Sequence, residues 1–257
     1  MRSVKIMLMN QIQSMLKSCE TGSSFIPPST LYNEGWMLRI LLHWFAAHSP
    51  LSHPLSFPED GRWFSEALLT SAFLARYQGD QLAETWTHAD GVIGHFAIGN
   101  AGKGDLSLLP DGTHFVALEA KMFSPLSPGT TNARYYNQAA RYVACIAEVL
   151  RQADRRPPEM SRLGFYIVAP QSQIAKEVFT KHVSHSSIQE VVKRRVDEYG
   201  GEKRAWFDEW FLPTFQCMDI QMMSWEALID LIHERDPKFG EEMQGFYHLC
   251  LSFNGKK

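Results

Sequence analysis

The chain has 257 residues, a formal net charge of −3 at pH 7 and 45% apolar content. That balance excludes a protein that coats nucleic acid by bulk positive charge, so any polyanion site must be local. Cys19, Cys145, Cys217 and Cys250 lie far apart with no CxxC pair, which argues against structural zinc and a disulfide framework and fits a reducing cytoplasm; no stretch approaches the roughly 18 apolar residues of a membrane span.

The N-terminal stretch MRSVKIMLMNQIQSMLKS reads as an amphipathic helix rather than a signal peptide, because Asn10, Gln11 and Gln13 interrupt it and no small-residue cleavage site follows. Residues 19–30 are a Ser/Gly/Pro loop, and residues 31–48 suit a mostly buried helix. After a proline-rich loop, the spacing of Phe64, Leu68, Leu69, Phe73 and Leu74 predicts a helix over 62–77. Residues 85–99 are β-branched and aromatic and read as a strand, broken at Gly91. Next comes a hairpin, GDLSLLPDGTHFVALEAK, then a loop over 124–132, a clear helix over 133–153 and an apolar strand over 162–170. The remainder is mainly helical, with a break at Gly200-Gly201, a strand at CMDIQMMS and a last helix, SWEALIDLIHE. These elements predict an α/β fold in three parts: a helical extension over 1–61, a core over 62–170 with a small mixed sheet flanked by helices, and a mainly helical C-terminal extension over 171–257.

The hairpin carries the chemistry. A turn at Leu109-Pro110-Asp111-Gly112-Thr113 suits a three-residue hairpin loop, which sets Leu109 opposite Thr113. Asp105, Ser107, Phe115, Ala117, Glu119 and Lys121 then share one face, with apolar residues on the other. Asp105 and Glu119 become diagonal neighbours, roughly 7–8 Å apart at the backbone. Two carboxylates so placed repel unless a cation joins them, and all-oxygen ligands suit Mg²⁺ or Mn²⁺, with the Ala120 carbonyl as a further donor. Such an ion makes water a usable nucleophile, and Lys121 can position that water and stabilise phosphoryl charge.

With these residues in place the chain resembles the PD-(D/E)XK nuclease superfamily over 62–170. That family's core runs helix, three strands, helix, strand, with an Asp at the start of the second strand and (D/E)xK in the third. Asp105 and Glu119-Ala120-Lys121 match, with Gly104 where the motif has Pro. Glu66 matches an acidic residue that some members carry on the first helix, as an added metal ligand. Gln138 and Tyr142 match the QxxxY helix motif of an exonuclease-like branch. The resemblance implies a restriction-endonuclease-like αβββαβ core and Mg²⁺-dependent hydrolysis of phosphodiester bonds, most simply of DNA. Asp105, Glu119, Lys121 and Gln138 would be catalytic. Asp105, Glu119 and the Ala120 carbonyl would bind metal. Arg134, Gln138, Arg141, Tyr142 and Lys103 would meet nucleic acid, with a homodimer or a partner protein as a further expectation.

Two other functions are open at this level: a catalytically silent nucleic-acid-binding or assembly module of the same fold, and a phosphoesterase for small nucleotides. Elsewhere, the basic run Lys193, Arg194, Arg195, Lys203 and Arg204 reads as a solvated helix face balanced by Asp197, Glu198 and Glu202. The aromatic run over 204–215 reads as core or interface. The loop GNAGKGD lacks the ending of a phosphate-binding loop, and the scattered histidines have no zinc-site partners.

Overall fold

The computed structural model describes residues 11–19, 26–99 and 104–255. Residues 11–17 are helical; the rest of the N-terminal helix expected from the sequence lies outside the described residues. Five strands form one mixed sheet in the order β1 (Arg62–Leu69), β2 (Thr87–Gly94), β5 (His114–Ala120), β6 (Arg162–Ala169), β7 (Asp219–Ser224). β1–β2 and β2–β5 pair antiparallel; β5–β6 and β6–β7 pair parallel. Short strands β3 (Phe96–Ile98) and β4 (Leu106–Leu108) make a separate two-stranded sheet.

Helices cover both faces. On one side α1 (Glu34–His48), α4 (Trp225–Arg235) and α5 (Pro237–Asn254) pack against Ile93, Val116, Leu118, Tyr166 and Val168. On the other, α2 (Gln138–Gln152), α3 (His185–Asp197) and the aromatic segment Phe207–Phe211 pack against Val92, Phe115, Ala117, Phe165 and Ile167. Each of the Val, Leu, Ile and Phe side chains among these contributes about 1.5–3 kcal/mol on burial. Asn33 caps α1 by accepting from the Trp36 amide, and Asn137 caps α2 by accepting from the Ala140 amide, each at 3.0 Å. Gly91 lets α1 come close: a Cβ there would sit 2.9 Å from Leu42 Cδ1.

Several expectations change. Residues 62–69 are strand, not helix. Glu66 takes a left-handed φ of 58°, and around it the facing shifts: Phe64 lies against the α2 side, and so do Ala67 and Leu69. Two residues three apart on one face imitate helical spacing. The helix that precedes the strands is α1. The break after β2 falls at Gly94, not Gly91; with φ 144° and the His114 carbonyl 2.0 Å from where a Cβ would stand, only glycine fits. α2 starts at Gln138, and the strand expected at CMDIQMMS forms as β7 and joins the main sheet, so the C-terminal region completes the core sheet as well as supplying helices.

The hairpin register is also corrected. Its turn forms, with the Gly112 amide donating to the Leu109 carbonyl at 2.9 Å, but the strands on either side part company. β4 pairs with β3, whereas β5 lies between β2 and β6. The chain leaves β2 at Gly94–His95, touches the outer edge of β1 at Gly104–Asp105 and takes its place beside β2 only at His114, so pairing passes to a strand further away in sequence.

Candidate functional site

β2 and β5 pair as far as Gly91↔Leu118 and then separate. The next amide of β5 that would face β2 belongs to Ala120, and it donates to the Asp90 carboxylate (Oδ2, 2.8 Å) instead of to a backbone carbonyl. Continuing the register by one residue puts Asp90 beside Glu119. On its other side, Ser65↔Gly91 and Ala67↔Ala89 place Glu66 next to Asp90 by count. Three acidic residues therefore fall in one row across β1, β2 and β5.

Glu119 is 2% exposed. Burying a carboxylate is costly unless it is paired, and this one is: Lys121 Nζ forms an ion pair with Oε1, and the Tyr142 hydroxyl lies 2.5 Å from Oε2. The same hydroxyl is 3.0 Å from the His88 carbonyl. Burial, then the charges of Glu119 and Asp90, hold the Tyr142 phenol well above its ordinary pKa, so it stays a donor. Lys121 is anchored through its own backbone, with its amide donating to Val168 O at 2.8 Å and its carbonyl accepting from Trp225 Nε1 at 2.9 Å. Burial, then the Glu119 carboxylate, push Asp90 up to about 7. Two neighbouring acids, one of them driven toward its neutral form, are the electrostatic condition that a divalent cation relieves. Among the described residues no three His, Cys, Asp or Glu side chains form a metal-holding group. The donor set still fits a hard ion, because Mg²⁺ commonly takes one or two carboxylates and completes its shell with water and phosphate.

The expected site residues divide sharply. Glu119, Ala120, Lys121 and Tyr142 come together. Tyr142 is fully buried, so it cannot touch nucleic acid and instead orients Glu119. Gln138 lies one turn from Tyr142 on α2, where its amide group pins the preceding loop: Oε1 accepts from the Ser127 amide at 3.0 Å. Glu66 sits on a strand, half exposed, and is paired to Arg39 at 3.2 Å. Arg134 is exposed in the turn before α2, Arg141 lines a separate cavity, and Lys103 lies outside the described residues.

Asp105 does not join Glu119. It bridges Leu68 on the far edge of β1, so β1 and β2 stand between it and β5, three strand spacings or roughly 14 Å at the backbone. Asp90 is the acid that occupies the place the hairpin reading gave to Asp105. Its signal in the sequence is a lone acid within the strand THADGVIG, the same anomaly that marks Glu119 in HFVALEAK. Comparison with family models, with curated proteins and with solved structures finds no match for this chain.

Proposed function

We propose that the chain is a divalent-metal-dependent nuclease that hydrolyses phosphodiester bonds, with DNA as its substrate. The observation that carries this reading is the meeting of Asp90, Glu119 and Lys121 where β2 and β5 separate, with the two carboxylates on adjacent strands and the lysine two residues beyond. The order of elements supports it: helix α1, strands β1, β2 and β5, helix α2, strand β6. That is the order of the restriction-endonuclease-like core, with α1 as its first helix. Asp90 then stands in the second strand and Glu119-Ala120-Lys121 in the third, as in the PD-(D/E)XK signature.

In this reading Asp90 and Glu119 hold Mg²⁺ or Mn²⁺, with the Ala120 carbonyl within the same turn of chain. The ion supplies Lewis acidity toward the scissile phosphate and acidifies water. Lys121, 14% exposed at its side chain, orients the attacking water and carries positive charge toward the phosphoryl oxygens. Tyr142 fixes the Glu119 rotamer through its hydroxyl. Gln138 holds the loop before α2 in place and Arg134 meets the phosphate backbone, contacts that position nucleic acid without reading sequence.

The test is a cleavage panel: supercoiled and linear duplex DNA, single-stranded DNA and RNA, each with Mg²⁺ and with Mn²⁺, against Lys121→Ala. Metal-dependent cleavage by the wild type that is lost in the variant supports the reading. A wild type that cuts nothing in the panel refutes it; retained binding of nucleic acid in Ca²⁺ would then assign a silent binding module, and turnover of small nucleotides a phosphoesterase.

A further inference from the structure

A polar cavity of ≈110 Å³ lies next to the N-terminal part of α2, and Arg141, Glu84, Thr85, Thr130, Thr131 and Asn132 line it. Arg141 directly precedes Tyr142, so the cavity and the Asp90–Glu119 site share the same stretch of α2. The Nε of Arg141 is sealed from solvent and has no hydrogen-bond partner. No ion pair of Arg141 exists among the described residues. The fully buried Tyr136 hydroxyl, close enough to feel the charges of Glu84 and Arg141, lacks a partner as well. Buried polar groups in folded proteins are normally bonded, so an orphaned guanidinium donor on a residue that lines a cavity calls for an acceptor.

Part of the lining's own hydrogen-bonding capacity is already engaged. Glu84 Oε1 accepts from Arg195 Nε at 3.2 Å, and Arg195 is itself completely buried. Thr130 Oγ1 accepts from the Ala133 amide at 3.1 Å, which leaves its proton to donate. Asn132 spends an amide proton on the Ala83 carbonyl at 2.7 Å. Thr85 and Thr131 form an exposed rim with free hydroxyls. Burial pushes Glu84 up to about 7 against the opposing charges of Arg195 and Arg141, so the carboxyl on the lining is only partly ionised at pH 7 and is countered by Arg195 where it is. The volume exceeds the roughly 30 Å³ that one water occupies. A cavity lined by a guanidinium and several hydroxyls suits a tetrahedral oxyanion, and a guanidinium is the side chain best shaped to hold one.

We infer that this cavity is a phosphate-binding site, with Arg141 as its cation and the hydroxyls of Thr85, Thr130 and Thr131 as further donors. Its occupant is a phosphate group, either free or at the end of a nucleic-acid strand.

Isothermal titration of the full chain at pH 7 in EDTA tests this with three probes at matched ionic strength: inorganic phosphate, a 5′-phosphorylated tetranucleotide and the same tetranucleotide without phosphate. Saturable binding of phosphate is expected, at least tenfold weaker in Arg141→Met and several-fold weaker in Thr131→Val and Thr85→Val. Tighter binding of the phosphorylated tetranucleotide than of inorganic phosphate assigns the site to a strand end; the reverse order assigns it to a free anion. The inference is overturned if neither phosphate-bearing probe binds saturably, or if the affinities are unchanged in the threonine variants and in folded Arg141→Met. The exposed threonines decide the matter if Arg141→Met does not fold. No cleavage is read, so failure here leaves the nuclease proposal standing.

Discussion

Asp90→Asn tests the electrostatics of the candidate site while keeping its shape. Burial, then the Glu119 carboxylate, raise Asp90 from 3.8 to about 7 in the folded chain. Between those values the folded chain keeps a proton that the unfolded chain has released. The group's contribution to stability therefore falls as pH rises from 3.8 to about 7, and the penalty is complete above that. At about 1.4 kcal/mol per pH unit, this interval is on the order of 4 kcal/mol. Asn keeps an oxygen for the Ala120 amide, now 2.8 Å from Asp90 Oδ2, and never ionises. At pH 8 the variant should be more stable than wild type by up to that amount, a rise in Tm of roughly 10 °C for a chain of this size; at pH 4 the two should nearly coincide. Glu84, also raised to about 7 by burial, tilts the wild-type profile the same way, and His114, held down at about 4 by burial, tilts it oppositely. The difference between variant and wild type, followed by calorimetry from pH 4 to 8 in EDTA, isolates Asp90. A difference that does not change with pH, or a variant less stable at pH 8, would refute the reasoning.

Three further substitutions probe other parts of the account. Tyr142→Phe removes the donor to Glu119, a charge-assisted hydrogen bond worth about 1.5–3 kcal/mol; denaturant unfolding should register that loss, and cleavage should need more Mg²⁺. Gly94→Ala places a Cβ 2.0 Å from the His114 carbonyl at a φ of 144° and should cost more than about 3 kcal/mol, read as failure to fold or a large drop in the denaturation midpoint. Arg195→Met leaves Glu84 buried without its partner and should cost about 3–5 kcal/mol by the same measurement; wild-type stability would show that Glu84 needs no counter-charge.

Much of the site was legible because a buried charge is expensive wherever it falls. Glu119 and Lys121 at the end of an apolar strand already implied partners, and the helix carrying Tyr142 was plain from its periodicity. The acidic partner was not, because a turn fixes the local path of the chain but not which strands pair. The Pro110-Asp111-Gly112 turn forms, yet β5 takes β2 as its neighbour, and sequence offers only side-chain alternation to choose between β2 and β4, which both satisfy. The helix expected over 62–77 failed for a related reason: the left-handed Glu66 shifts the strand's facing and gives apolar residues three apart. The basic run over 193–204 read correctly as a balanced helix face at Lys193, which pairs with Asp197 at 2.8 Å. Arg195, however, turns inward to Glu84, and spacing alone does not distinguish it from its solvated neighbours. The aromatic run over 204–215 is core, with Trp206, Phe207, Trp210, Phe211 and Phe215 all buried.

The choice between Asp90 and Asp105 is the most direct test of the account. Metal-dependent DNA cleavage should be measured side by side for wild type, Asp90→Asn and Asp105→Asn, each checked for folding by circular dichroism. The account predicts that Asp90→Asn abolishes cleavage and Asp105→Asn retains it. Loss of cleavage in folded Asp105→Asn with activity preserved in Asp90→Asn would contradict it.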